Sequence, residues 1–171
     1  MTLIRNGALV EGDPWRFFAE GEELPADGAA LVTTKRWANE RERLIGRNAP
    51  IGVKLEAGDQ PSAIAADLDR FGLVAVDFPK FNDGRGYSSA RLLRERYGYK
   101  GEIRAVGRVL RDQLLLMLRC GFDGFDLADK DPVAAWAQAV GDMSVCYQPA
   151  ADDRVPARTL RHPRPRLARA S

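Results

Sequence analysis

One histidine, His162, and two cysteines, Cys120 and Cys146, are the only residues of those types in the 171-residue chain. No CxxC spacing occurs, so neither a Cys/His zinc centre nor a histidine-based triad can be assembled. Two separated thiols also cannot hold a four-thiolate iron–sulfur cluster, and in a core-rich chain they are expected to stay reduced. No run approaches the ~20 apolar residues that cross a bilayer. The opening MTLIRNGALVEGDPW has no long apolar stretch and carries acids early, unlike a secretory signal. GxGxxG and GxxxxGK[ST] are both missing, so a nucleotide cofactor has no phosphate loop to rest on. The expectation is a cytoplasmic protein with no membrane contact, no metal and no cofactor.

The residues that are present, 45% hydrophobic and 29% charged, suit one well-buried globular domain. The formal charge of +2 is unevenly spread. From Arg154 onward there are six arginines and no acid, which leaves about −4 on residues 1–153. The body is mildly acidic and the tail basic. That tail has no interleaved aromatics and no accompanying nucleic-acid motif, so nucleic acid is not the expected partner.

Asn6-Gly7 between two short apolar runs signals a β-hairpin, because both turn positions favour positive φ. Residues 12–30 are acidic and turn-rich, with Trp15, Phe17 and Phe18 expected to pin them to the body. A unit of strand, loop, amphipathic helix and glycine then repeats. The expected strands are AALVTT, IGVKL, LVAVDF, EIRAVG and FDGFDL, and the helices cover 39–45, 62–71, 89–97 and 109–120. Each of these helices is followed by glycine, read here as a left-handed cap. The helix carrying LLLML is expected to be the most buried. A last helix follows Asp131-Pro132, an N-cap and a residue suited to the first turn.

Alternating strands and helices imply parallel strands joined by right-handed crossovers. The expected fold is α/β: an open, mostly parallel five-stranded sheet with helices on both faces, preceded by a short hairpin. Part of a β/α barrel is the alternative. The layout reads as 1–28 packed on the body, 29–148 as the α/β core, and 149–171 as an Arg/Pro-rich disordered tail.

The longest strand-to-helix loop of the core lies at 79–88, where open parallel sheets place their ligands. Gly84 and Gly86 let successive N–H groups form a concave nest, and Ser88 is placed to cap the next helix. Lys80, Arg85 and Arg91 add positive charge. Tyr87 adds a hydroxyl, and Arg104 and Arg111 at the neighbouring junction could face the same pocket. One reading is a site for a small oxyanion such as sulfite, sulfate or phosphate, comprising Lys80, Asp83, Gly84, Arg85, Gly86, Tyr87, Ser88, Arg91, Arg104 and Arg111. The other is structural: Asp77 and Asp83 pair with Arg85 and Arg91 to close the loop, and Arg91 pairs with Glu95 along its helix.

FPKFNDGRGYS, LRDQ and RCGF together resemble the signature of the bacterial domain of unknown function 934 family, over roughly residues 30–148. That family is commonly labelled an oxidoreductase probably involved in sulfite reduction, a label drawn from gene neighbourhood. Arg108 stands where Asp is expected in many relatives. The resemblance implies a protein of assimilatory sulfate or sulfite reduction that participates in or assists the sulfite reductase step. It brings no catalytic residue with it. Two readings follow, an oxyanion-binding loop or a non-catalytic partner docking on sulfite reductase or its electron donor. A small-molecule enzyme of unrelated reaction type is a further alternative.

Overall fold

The computed structural model describes residues 2–152 and 154–161. Asn6 and Gly7, at φ 51° and 83°, close the expected hairpin between β1 (Thr2–Arg5) and β2 (Ala8–Leu9). Next come β3 (Arg16–Phe17), β4 (Ala30–Thr33), α1 (Thr34–Ile45) and β5 (Ile51–Leu55). Two 3-10 turns lead into β6 (Phe71–Phe78), followed by α2 (Arg85–Arg91), a π turn and β7 (Glu102–Val109). The chain continues through α3 (Leu114–Cys120), β8 (Gly124–Leu127), α4 (Pro132–Gly141) and α5 (Ala157–Arg161).

The strands form one sheet in the order β2-β1-β8-β7-β6-β5-β4-β3, curled into a half-barrel. Strands β3 to β8 are parallel and lie in chain order, and β1 joins β8 antiparallel. This corrects the open sheet with helices on both faces. A sheet wound in one direction by right-handed crossovers places every crossover on the same side. The point of reversal that opens a ligand crevice in doubly wound sheets is therefore missing, and the partial-barrel alternative describes the molecule.

The two faces of the sheet differ accordingly. Val32, Val53, Val74, Val76, Ile103, Ala105 and Phe125 point into the main core with Trp37, Leu44, Leu93, Leu114 and Met117 from the outer layer. The concave face carries only a small apolar cluster, Leu31, Leu73 and Ala75, packed by Trp15 and Val106. A Cβ on Gly52 would stand 3.0 Å from the Trp15 ring and one on Gly72 3.1 Å. The two glycines thus make room for the indole that plugs this face. Each outermost strand is two residues long, which keeps the sheet edges short.

Several element boundaries depart from the sequence reading. The expected helix at 62–71 is a pair of 3-10 turns, Pro61–Ala63 and Ala65–Arg70, and Phe71 already belongs to β6. Of the four glycines read as left-handed caps, Gly98 (φ 65°) and Gly121 (φ 102°) adopt that conformation. Gly46 has φ −73° and Gly72 lies in a strand. The LLLML helix buries Leu114 and Met117 but leaves Leu116 54% exposed, so it is not enclosed all round. Asp131 caps α4 as expected, its carboxylate accepting from the Ala134 N–H.

Cys120 and Cys146 are free thiols, and burial pushes the Cys120 thiol up. Residues of the expected tail also bind the body: the Ala151 N–H donates to the Arg119 carbonyl, and Arg154 donates to the carbonyls of Val140 and Met143. The rest of that tail, 162–171, lies outside the described residues. No helix among the described residues is long and apolar enough to cross a membrane.

Candidate functional site

The loop leaving β6 is held by its own charges. Asp83 accepts from the Arg85 backbone N–H at 3.2 Å, from Nε at 2.9 Å and from Nη2 at 2.6 Å. These bonds start α2 at Arg85, four residues ahead of the expected start, with Gly84 as the N-cap. Ser88 is therefore inside the helix and does not cap it, which corrects the sequence reading. Hydrogen bonds from the Arg85 side chain, and then from its backbone N–H, hold the partly buried Asp83 carboxyl down at about 2. In Arg85→Ala, the Asp83 pKa measured by NMR should rise toward the ordinary carboxylate range, short of it by whatever the retained backbone N–H of residue 85 contributes. An unchanged value would show that Arg85 does not hold this loop.

The other loop residues are placed as follows. Arg91 donates to Glu95 at 2.8 Å along one helix face. Tyr87 packs edge-on against Phe78, with centroids 5.3 Å apart, and burial raises its hydroxyl pKa. A Cβ on Gly86 would sit 2.5 Å from the Phe78 ring, so glycine is required there by packing. Ser88 and Arg91 border an open hollow of about 410 Å³ with Leu92, Glu95 and Arg96.

Arg104 is on the concave face. It pairs in register with Ala75, is 6% exposed, and binds the Asp13 carboxylate in a two-bond fork at 2.7 and 3.1 Å and Glu102 at 2.8 Å. Asp77 faces the same side, where Lys54 lies 3.6 Å from it. Asp83 and Arg85 thus close the loop as in the structural reading, while Asp77 and Arg91 find partners elsewhere.

The structure joins the loop to its neighbour through Gln113. Its Nε2 donates to the Phe81 carbonyl at 2.9 Å and its Oε1 accepts from the Leu110 N–H at 3.2 Å. This one side chain ties the turn after β6 to the turn after β7 and builds a continuous rim at the carboxyl ends of the strands. On that rim Phe81 is 60% exposed and Leu110 40%. Lys80, Arg108 and Arg111 are exposed around them and form no ion pair among the described residues; Asp112 is the nearby acid. The sequence reading named Gln113 only as part of the LRDQ motif and gave it no role; its place three residues past Leu110 was the available signal.

The family described as "Bacterial protein of unknown function (DUF934)" matches residues 52–158. The matched span starts inside β5 and continues through β8 and α4, so it contains the Phe81 loop, the Gln113 bridge and Arg104. No curated protein matches the chain. With more than half of its length in that match, the chain belongs to this bacterial family of unknown function.

Proposed function

We propose that this is a cytoplasmic protein of assimilatory sulfite reduction that assists the reductase step as a non-catalytic partner. It docks on sulfite reductase or on that enzyme's electron donor. The observation that carries this reading is the rim: an exposed aromatic ring flanked by Lys80, Arg108 and Arg111. Aromatic and arginine side chains are the groups that most often anchor protein interfaces. Two of the cations expected to hold a small oxyanion, Arg85 and Arg91, already have carboxylate partners. A mostly basic rim is complementary to an acidic surface on the partner, and such complementarity raises association rates and sets orientation. The family resemblance supplies the pathway and the rim supplies the mode of action.

Growth on defined sulfur sources tests the pathway. A bacterium lacking this gene should grow on sulfide or cysteine and fail, or slow severely, on sulfate and sulfite. Normal growth on sulfite would remove the protein from the reduction step.

A further inference from the structure

We infer that Gln113 is a positioning residue for partner docking: it holds Phe81 in its binding pose before any partner arrives, and so sets the affinity of the rim without being a contact itself. This rests on the docking reading above and adds the group that controls it. Phe81 sits in the turn between β6 and α2. The Asp83 N–H donates to the Lys80 carbonyl at 3.2 Å, and Asp83 is fastened to Arg85 at the start of α2. Neither contact reaches Phe81. Its ring is 60% exposed, so packing restrains it little. Among the described residues, the bond from Gln113 Nε2 to its carbonyl, at 2.9 Å, is the one hydrogen bond that Phe81 makes.

Gln113 is itself firmly placed. It closes the 3-10 turn Arg111–Gln113, and the next residue, Leu114, starts α3 and is fully buried. Its backbone N–H donates to the Leu110 carbonyl at 3.1 Å, while its Oε1 accepts from the Leu110 N–H at 3.2 Å. The side chain is half-buried, and both ends of its amide are engaged by the rim's own backbone. The amide suits this place because it carries a donor for one turn and an acceptor for the other. An ionised carboxylate has no donor and an ammonium no acceptor.

The consequence for binding is one of order. A turn that is ordered only on binding loses conformational freedom at that moment, and affinity falls; a turn already fixed does not suffer this. With Gln113 in place, the partner meets Phe81 at a set position beside Leu110, Arg108 and Arg111. Without it, the turn samples several conformations, and affinity falls by the fraction of them that present the ring correctly.

The test joins amide relaxation of the free full chain to a double-mutant cycle on its complex with sulfite reductase or that enzyme's electron donor, whichever binds. The Phe81 amide should be as rigid as the strands in the unaltered chain, with an order parameter of about 0.85, and fall below about 0.6 in Gln113→Ala. Gln113→Ala should weaken the complex about tenfold, yet cost less than about twofold when Phe81 is already alanine, because the ring it positions is gone. A residue that contacts the partner, or only supports the fold, would cost the same factor in both backgrounds. That equal cost, undiminished binding by Gln113→Ala, or a mobile Phe81 in the unaltered chain would each overturn the inference while leaving the docking reading in place. The last of these is read without any variant. An unaltered chain that binds neither protein would remove the docking reading and this inference with it.

Discussion

Arg94→Ala should lower the stability of this protein by roughly 3 kcal/mol, the lower end of the range for breaking a buried, hydrogen-bonded charge pair, because the Asp123 side chain keeps 34% exposure to solvent. Arg94 lies in the π turn Leu92–Arg96 that extends α2, with its side chain only 17% exposed. Its Nε donates to the Gly121 carbonyl at 3.0 Å, and Nη1 donates to the carbonyls of Tyr99 at 2.7 Å and Gly101 at 2.8 Å. Nη2 binds Asp123, whose carboxylate also accepts from the Ile103 N–H at 2.9 Å. One guanidinium thereby fastens the turn before β7 to the turn before β8.

Removing it leaves three carbonyls without this donor and Asp123 without its cation, and each unsatisfied buried group costs about 1–3 kcal/mol. Gly121, at φ 102°, packs directly against the Arg94 methylenes, so the truncation also opens a void. Arg94→Lys should recover only part of the loss, because an ammonium cannot reproduce a planar fork aimed at separate acceptors. Denaturant unfolding reads the effect as a lower midpoint at unchanged slope. A loss below about 1 kcal/mol, as for an exposed pair, would show that the clamp carries little. The role of Arg94 is thus architectural.

The strands were legible because β5 and β6, IGVKL and FGLVAVDF, are largely apolar, and β7, EIRAVGRV, carries apolar residues at Ile103, Ala105 and Val109. The hairpin was legible from Asn6-Gly7 and the start of α4 from Asp131-Pro132. The winding of the sheet was not, since a half-barrel and an open doubly wound sheet share the same alternation of strands and helices. The 62–71 segment misled for a physical reason: Ile64, Leu68 and Phe71 all enter the same core, whether their backbone is α-helical or two 3-10 turns and a strand. Strand β3 is two residues long, too short for any periodic signal.

In the candidate site the positive residues were visible and their partners only partly so. Arg91–Glu95 follows from i, i+4 spacing, whereas Asp13 reaches Arg104 from 91 residues away. The charged side chains Lys54, Asp77, Arg104 and Asp126 all point to the concave face. Alternation along each strand placed them together opposite the main core, but only the order of the strands reveals that this face bears no helices.

The largest functional effect is expected at Phe81. A ring 60% exposed in the free protein gains most from burial at the centre of an interface. Phe81→Ala should weaken complex formation by at least about tenfold, or roughly 1.4 kcal/mol. Arg111→Ala should act mainly by slowing association and flattening its salt dependence. Arg85→Ala should change affinity far less than Phe81→Ala, since Asp83 already neutralises that guanidinium and Gln113 still holds the Phe81 carbonyl.

The decisive measurement is binding of the purified full chain to purified sulfite reductase and to its electron donor, with these three variants side by side at low and moderate salt. The account predicts a complex with one of the two that is lost with Phe81, weakened with Arg111 and retained with Arg85→Ala. A complex with neither, or one that depends on Arg85 while ignoring Phe81 and Arg111, would contradict it.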